Sequence, residues 1–190
     1  MTGTRRLSQA IAEGDGISVL VEVLDASSAR TAEERGAEGV VLRGPTPGVR
    51  DATGLPVLVF AKPHVSGEAD ALVVDVEELG DRLAEVVEEA HAFGLETVVR
   101  VRDEDELEEV LQLVDPEILL LSADEADDDQ DHLERLLELL LDIPAGKLAI
   151  AELAGATRHE VLELERAGID AVIVTNPDIG LLMGDTLPEV

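Results

Sequence analysis

Four charged side chains that could act together on a bound anion lie near the ends of short apolar runs. They are two carboxylates, Glu22 and Glu152, and two guanidinium groups, Arg43 and Arg100. In a shared cavity the arginines could bind a carboxylate or a phosphate while the glutamates serve as acid and base. The same residues could instead pair only with one another, since buried charges persist when they are paired. Both interpretations, an acid–base or anion-binding pocket and a structural ion-pair network, are open at this stage.

Two further groups follow the third apolar run: the amine of Lys62 and the imidazole of His64. They could form a relocated acid–base pair, although such residues in a loop are more commonly surface residues. An acidic segment, residues 124–131, offers oxygen ligands for weak cation binding but lacks the glycine and the terminal glutamate of an EF-hand loop. The remaining histidines, His91, His132 and His159, have no metal-ligand spacing. The sequence therefore predicts no metal site and no cofactor.

The charge balance of the chain disfavours several classes of partner. Forty-three acidic residues face fourteen basic ones, for a formal charge of −29, so nucleic acid and anionic membranes would be repelled. An acidic surface of this kind is typical of solubility or of adaptation to salt. Cysteine is absent, which removes disulfides, zinc–thiolate sites and thiol nucleophiles. Without a signal-peptide core or an apolar run of membrane-spanning length, we expect a cytoplasmic protein.

Eight short apolar runs, rich in β-branched residues, predict the fold. Continuous runs with little alternation are typical of strands buried on both faces, as in a parallel sheet covered by helices. They predict one domain over residues 1–190, a compact (β/α)8 TIM barrel of the α/β class, shorter than the usual length of about 250 residues. The runs are Ile17–Val23, Gly39–Leu42, Pro56–Phe60, Ala71–Val74, Thr97–Val101, Ile118–Leu121, Leu148–Ala151 and Ala171–Val174.

The segments between these runs predict the outer layer of the barrel. The amphipathic piece Arg5–Glu13, within residues 1–16, is expected to close the barrel bottom. The second and third crossovers, residues 43–55 and 61–70, are too short for an average helix, so we expect turns or single helical turns there. This trimming would leave the strand flanks near Val57–Val59 and Leu72–Val74 exposed. Helices are predicted over Ser27–Arg35, Glu77–Phe93, Asp103–Val114, Leu133–Leu141 and Thr157–Ala167, with a last short one over Asp178–Met183.

Several segments resemble indole-3-glycerol-phosphate synthases, tryptophan-pathway barrels that close an indole ring with loss of CO₂ and water. Residues 6–28, RLSQAIAEGDGISVLVEVLDASS, are similar to the start of that family. The other similar segments extend the resemblance over nearly the whole chain; they are Leu55–Leu58, Ala69–Val74, Gly94–Leu107, Ala149–Glu152 and Ala167–Val174. The resemblance implies the TIM-barrel fold for this chain.

The resemblance also implies which family positions are kept. It matches Glu22 to the family's first-strand glutamate and Glu152 to its seventh-strand glutamate. Leu24 and Phe60 replace the two catalytic lysines, and neither can donate a proton to a substrate carbonyl or leaving hydroxyl. Arg100 and Ser122 replace a fifth-strand glutamate and a sixth-strand asparagine. The candidate anion-binding residues are Arg43, Arg100, Ser122, Gly155, Thr175 and Asn176, the last three at or beside the positions that hold phosphate in the family.

Period-two alternation and the resemblance together point six side chains into the barrel near the carboxyl ends of the strands, namely Glu22, Leu24, Arg43, Phe60, Arg100 and Glu152. The leading hypothesis is a minimal barrel of the indole-3-glycerol-phosphate synthase type that has lost the parent reaction, a pseudoenzyme with at most an unknown ligand-binding role. One alternative is an enzyme, either a carbon–carbon lyase of tryptophan biosynthesis or a barrel acting on a small phosphorylated or carboxylated substrate. A second alternative is a protein-interaction barrel. The expected partner is a small anionic ligand, and the expected state is a monomer or a weak homodimer.

Overall fold

Eight parallel strands close into a barrel in chain order. The structure is a computed structural model that describes residues 7–14, 16–65, 67–123, 132–175 and Leu182. The strands are β1 (Ser18–Glu22), β2 (Gly39–Leu42), β3 (Val57–Phe60), β4 (Ala71–Asp75), β5 (Glu96–Val101), β6 (Ile118–Ser122), β7 (Leu148–Glu152) and β8 (Ala171–Val174). Each strand pairs with the next, and β1 pairs with β8 to close the ring. All eight strands coincide with the predicted apolar runs, so the prediction of a (β/α)8 barrel is confirmed.

The barrel wall is buried on both of its faces. Leu20, Leu58 and Ile150 belong to a cluster of buried side chains inside the barrel. Val19 and Val59 belong to a second, larger cluster that the strands share with the surrounding helices. Because water is excluded from both faces, alternate positions along a strand are equally apolar. This is the physical reason why each strand reads as a continuous hydrophobic run in the sequence.

Within the described residues, eight α-helical segments accompany the strands. They are α1 (Leu7–Ala12), α2 (Ala26–Glu34), α3 (Val49–Ala52), α4 (Val76–Leu79), α5 (Leu83–Ala92), α6 (Glu104–Leu113), α7 (His132–Leu140) and α8 (Arg158–Ala167). The helix starts follow local chemistry, since Asp103 accepts a hydrogen bond from the backbone N–H of Glu106 and Thr157 forms a capping box with Glu160. None of the helices among these residues is long and apolar enough to cross a membrane.

Helix α1 lies against the N-terminal ends of the strands. Its buried residues Leu7 and Ile11 join the cluster inside the barrel. Glu96, the first residue of β5, accepts a hydrogen bond from the backbone N–H of Leu7 at 2.6 Å and another from the hydroxyl of Ser8. A carboxylate at a helix N-terminus satisfies donors that have no partner within the helix. Arg5 and Arg6, which were predicted as part of this helix, lie outside the described residues.

The second and third crossovers are as short as predicted. Helix α3 has four residues, and the third crossover contains a single 3₁₀ turn, Pro63–Val65. The expectation that the adjoining strand flanks are exposed is wrong, because Val57, Val59, Leu72 and Val74 are all buried. Helix α3 packs on α2, and α5 packs on both β4 and the 3₁₀ turn. Short segments with buried apolar residues thus cover the strands that a full helix would otherwise cover.

An ion pair fastens the two short crossovers to each other. Nη1 of Arg50 in α3 donates to Oδ2 of Asp70 at 2.6 Å, and Nη2 of Arg50 donates to the carbonyl oxygens of Thr53 and Leu55. Asp70 also accepts from the backbone N–H of Val57 at 2.8 Å. Burial raises the pKa of the Asp70 carboxyl, although these hydrogen bonds and the charge of Arg50 oppose the change. Arg50 therefore satisfies backbone carbonyls where the crossover has no room for a regular helix.

The predicted helix over Glu77–Phe93 is wrong as a single element. It is divided into α4, a 3₁₀ segment Gly80–Arg82, and α5. Gly80 has a φ of 48°, a conformation that interrupts the α-helical hydrogen-bond ladder and that favours glycine. The last predicted helix, Asp178–Met183, lies outside the described residues except for Leu182, which is buried.

Candidate functional site

Seven strands bring a polar or aromatic side chain to the mouth of the barrel. Because all strands are parallel, their carboxyl ends meet on one face, which is where TIM-barrel sites form. The residues at or next to these ends are Glu22 (β1), Arg43 (after β2), Phe60 (β3), Asp75 (β4), Arg100 (β5), Ser122 (β6) and Glu152 (β7). The structure therefore brings together Glu22, Arg43, Arg100, Ser122 and Glu152, which the sequence had placed near strand ends.

Arg43 connects the carboxylates of β1 and β7. Its Nε and Nη2 atoms donate to Oε2 of Glu22 at 3.0 and 2.8 Å, and Nη2 also donates to Oε1 of Glu152 at 2.6 Å. The guanidinium carbon lies 4.3 Å from the centroid of the Phe60 ring, a cation–π distance. Burial lowers the pKa of Arg43, but the hydrogen bonds and charges of the two glutamates outweigh it, so the pKa is raised overall. Arg43 thus stays positively charged and donates hydrogen bonds without acting as an acid.

Arg100 extends this set of contacts across the barrel. Its Nη2 donates to Oγ of Ser122 at 2.7 Å and lies 3.3 Å from Oε2 of Glu152. The Ser122 hydroxyl donates in turn to the same Glu152 oxygen at 2.8 Å. Nη1 of Arg100 lies 3.5 Å from Oδ2 of Asp75. Glu152 is therefore held from three sides, by two guanidinium groups and a hydroxyl.

Two members of the site, Asp75 and Arg102, were missed in the sequence. Nη1 of Arg102 donates to Oδ1 of Asp75 at 3.0 Å, and its Nη2 donates to Oδ2. Arg102 also contacts Glu106, whose pKa is raised by burial although hydrogen bonds from Arg102 oppose the change. The available signal was position, because Asp75 directly follows an apolar run of the sequence, as Glu152 does.

We call Glu22, Arg43, Asp75, Arg100, Arg102, Ser122 and Glu152 the mouth network. Its three carboxylate side chains are only 12–18% exposed, and each is in contact with a guanidinium group. Partly buried pairs of this kind are screened less than surface pairs, and losing one partner leaves a charge uncompensated. The arrangement fixes the ends of six strands relative to one another. It also leaves both glutamates engaged by arginine instead of open to a substrate.

Leu24 lies apart from this network. It follows β1 by two residues and its side chain is 81% exposed, so it is not part of the packed core of the barrel. Its backbone N–H donates to Oγ of Ser28 at 3.1 Å, which belongs to the turn that begins α2. In the same turn, hydrogen bonds from the backbone N–H and hydroxyl of Ser28 lower the pKa of Asp25. The chain leaves the barrel wall at this point to start a capped helix.

Lys62 and His64 line a cavity beside the mouth network. The cavity has a volume of ≈ 530 Å³, within the range of about 300 to 1,000 Å³ that is typical of small-ligand sites. Arg43, Phe60 and Arg100 form part of its wall. Both Lys62 and His64 are exposed. The structure thus places the predicted amine and imidazole at the same mouth of the barrel as Glu22 and Glu152, but in the neighbouring cavity.

Of the candidate phosphate residues after β7 and β8, Thr175 is engaged with the backbone. The N–H of Thr175 donates to the carbonyl oxygen of Ala154 at 3.0 Å, and the Thr175 hydroxyl donates to the same oxygen. Gly155 is exposed, and a Cβ added to it would meet open space. Asn176 lies outside the described residues. Thr175 therefore links the two loops, and its hydroxyl proton is already committed.

The other polar groups considered in the sequence show no metal site within the described residues. Nε2 of His91 lies 3.3 Å from Oγ1 of Thr97, and Nε2 of His159 lies 3.5 Å from a carboxylate oxygen of Glu163. His132 is the first residue of α7 and is exposed. The acidic segment 124–131 lies outside the described residues.

Comparison with known proteins agrees with this architecture. No family model matches the chain. It is 29% identical over 141 residues to an indole-3-glycerol phosphate synthase from a Geobacillus species, covering 70% of this chain and 55% of that protein. It is 30% identical over 107 residues to the synthase of Sulfurisphaera tokodaii, covering 56% of this chain and 43% of that protein. The chain thus spans about half the length of the curated relatives it matches.

Solved structures with low sequence identity share the fold. A thiamine phosphate pyrophosphorylase from Pyrococcus furiosus superposes with a TM-score of 0.65 at 18% identity, covering 88% of this chain and 91% of that chain. An N-acetylmannosamine-6-phosphate 2-epimerase from Clostridium perfringens superposes with a TM-score of 0.63 at 14% identity, covering 88% of this chain and 87% of that chain. The chain is therefore a TIM barrel whose sequence is similar to indole-3-glycerol phosphate synthases.

Proposed function

We propose that this chain is a barrel of the indole-3-glycerol-phosphate synthase type that does not catalyse the indole-forming reaction. The observation that carries the proposal is the contact of Arg43 with both Glu22 and Glu152. These are the two glutamates that match the family, and a guanidinium group occupies the space between them. Ring closure, with loss of CO₂ and water, needs groups that give and take protons at the substrate. The glutamate oxygens that accept hydrogen bonds from Arg43 are already occupied.

The residues at the two lysine positions support the same proposal. Leu24 is apolar and exposed, and Phe60 stacks beneath Arg43 instead of presenting an ammonium group. Lys62 lies two residues beyond the end of β3, on the 3₁₀ crossover side of the mouth. An amine displaced from the strand end would need a different substrate position to take part in the same step. We therefore assign the mouth network a structural role, in which it holds the strand ends together.

The absence of tryptophan and tyrosine makes the proposal directly testable. The chain has two phenylalanines as its only aromatic residues, so formation of an indole product can be followed by its fluorescence over a dark protein background. We expect no indole-3-glycerol phosphate above a heat-denatured control when purified protein is incubated with the family's substrate, and no rescue of a tryptophan auxotroph. Product formation that Glu22→Ala abolishes would show that the chain retains the reaction.

A further inference from the structure

A second cavity, of ≈ 330 Å³, opens in the outer wall of the barrel near the N-terminal ends of β5 and β6. Helices α5 and α6 both pack on β5 without packing closely on each other, and it is α4 that packs on α6. A gap therefore remains between α5 and α6 at the end of the barrel opposite the mouth network. The volume lies at the lower end of the range of about 300 to 1,000 Å³ for ligand cavities, which fits one ring with a short side chain.

The lining of this cavity combines apolar surface with a few polar groups. Its apolar side chains are those of Val87, Leu95, Val99 and Val114. Leu95 and Val99 are buried in the core that the strands share with the helices, and the two other valines are half-buried. Thr97 lies between them on β5, with its Oγ1 3.3 Å from Nε2 of His91 near the end of α5. The cavity therefore offers apolar surface to the body of a ligand.

The charged side chains of the lining are negative. They are the carboxylates of Glu96, Asp115 and Glu117. Lys147, which lies outside the lining, pairs with Asp115 at 2.5 Å, whereas Glu96 accepts hydrogen bonds from uncharged groups of α1. With histidine counted as neutral, these three carboxylates and one ammonium group leave a formal charge of −2 at the cavity. The charge favours a cationic ligand.

The backbone contributes potential of the same sign. Helix α5 ends at Ala92 and α6 ends at Leu113, and Gly94 and Val114, which follow these ends, line the cavity. The C-terminal end of a helix carries a partial negative charge and favours a cation nearby. Side chains and backbone therefore point independently to a ligand with a positive charge.

Glu117 is the carboxylate of the lining that is free to pair with such a ligand. Glu96 is engaged by the first residues of α1, and Asp115 is engaged by Lys147. Among the described residues, no cation lies within ion-pair distance of the Glu117 carboxylate. Because the next residue, Ile118, belongs to the cluster inside the barrel, the side chain of Glu117 lies on the outer side of the wall.

We propose that the cavity between α5 and α6 binds a small organic ammonium ion with an apolar body, of the arylalkylamine class. The ammonium group pairs with the carboxylate of Glu117, and the apolar body packs against Leu95, Val99 and Val114. A charge-assisted hydrogen bond supplies the orientation, and burial of the apolar body supplies most of the affinity. This inference is independent of the proposed function, because the cavity lies at the opposite end of the barrel from the mouth network and binding is read out without turnover.

The first experiment uses the four histidines of the chain as NMR reporters in one sample. His91 lines the cavity, whereas His64, His132 and His159 do not. The histidine rings are labelled with ¹³C, and His91→Gln assigns the His91 signal. Titration with phenethylamine should shift the His91 signal along a saturable curve with a millimolar dissociation constant. The other three histidine signals should show no saturable shift.

Two further compounds separate the charge of the probe from its ring. 2-Phenylethanol has the same ring without the charge, and methylamine has the charge without the ring. Neither should give a saturable shift of the His91 signal over the same concentration range. Equal shifts of all four histidines, no saturable shift with phenethylamine, or an equal response to 2-phenylethanol or methylamine would overturn the proposal.

The second experiment changes the charge of the cavity and measures phenethylamine binding by relaxation of the ligand signals at constant ionic strength. Glu117→Gln should weaken binding about tenfold through the loss of a charge-assisted hydrogen bond. Glu109→Gln is the matched control, because Glu109 is exposed on α6 and does not line the cavity. Both substitutions remove one negative charge, so they weaken any general attraction of cations to this acidic chain equally. Unchanged affinity in Glu117→Gln, or equal losses in the two variants, would contradict a site for ammonium ions in this cavity.

Discussion

Glu22 and Glu152, from strands at opposite ends of the sequence, share one guanidinium nitrogen. Nη2 of Arg43 lies 2.8 Å from Oε2 of Glu22 and 2.6 Å from Oε1 of Glu152. Two carboxylates this close to the same atom repel each other unless a cation lies between them. Arg43 therefore determines whether the mouth of the barrel is a stable ion-pair network or an uncompensated pair of negative charges.

Arg43→Met is expected to destabilise the protein by about 1 to 2 kcal/mol, which is less than for a fully buried pair because Arg43 is partly exposed. The free energy of unfolding can be measured by urea denaturation followed by circular dichroism. Arg82→Met, which removes an exposed pair with Glu85, should cost under about 0.5 kcal/mol. Adding Glu22→Gln to Arg43→Met should restore part of the loss by removing one of the two like charges. Equal losses for Arg43→Met and Arg82→Met would contradict a bridging role.

The fold could be predicted from the sequence because strands buried on both faces leave an unmistakable apolar pattern. Glu22, Arg43 and Glu152 could be predicted because each lies at or next to the end of such a run, a position that Asp75 shares. Asp75 was missed because its partner Arg100 becomes visible only through the pairing register of β4 and β5. The covered strand flanks were also missed, because their burial depends on tertiary contacts such as the packing of α5 on β4 and the ion pair of Arg50 with Asp70. Local patterns report burial, whereas long-range hydrogen bonds have no signature in one sequence.

Asp25 is expected to stabilise the protein less as the pH falls. The N–H and hydroxyl of Ser28 lower its pKa in the folded state below the ordinary value of 3.8. The carboxylate therefore contributes stability above that ordinary value, and the contribution is lost as the pH falls through the lowered folded pKa. The difference in unfolding free energy between the wild type and Asp25→Asn, measured by urea denaturation from about pH 6 to about pH 2.5, should shrink on acidification. A constant difference would show that the charge of the cap contributes nothing.

The contribution of Asp70 to stability is expected to change with pH in the opposite direction to that of Asp25. Burial raises its pKa in the folded state above the ordinary value of 3.8, so the folded protein binds this proton more readily than the unfolded chain does. The resulting penalty is present above the raised folded pKa and is relieved as the pH falls towards the ordinary value. Over the same pH series, the stability of the wild type relative to Asp70→Asn should therefore rise on acidification. If the stability of the wild type relative to Asp70→Asn instead falls on acidification, as is expected for Asp25, the ion pair with Arg50 outweighs burial.

Gly39→Ala is expected to destabilise the barrel by about 1 to 3 kcal/mol through overpacking. A Cβ at this position would lie 2.7 Å from Cδ2 of Leu20, a fully buried side chain on the paired strand. Gly44→Ala is the matched control, because its Cβ would meet no atom within 4 Å. Shortening the neighbour with Leu20→Val should recover part of the loss in the Gly39→Ala background. Thermal or urea unfolding measures all four proteins, and equal stability of the two alanine variants would contradict the close approach of β1 and β2.

Salt is expected to stabilise the protein. A formal charge of −29 on 190 residues produces self-repulsion that is stronger in the compact folded state than in the expanded unfolded chain. Sodium chloride shortens the Debye length from about 30 Å at 0.01 M to about 3 Å at 1 M, which weakens this long-range repulsion. Contacts in the mouth network are partly buried and act over less than 4 Å, so they are screened much less.

The urea midpoint should therefore rise between these two salt concentrations, and it should rise less in a variant with several surface glutamates of α6 changed to glutamine. A midpoint that falls with salt would mean that attractive ion pairs, and not self-repulsion, dominate the electrostatics of this chain.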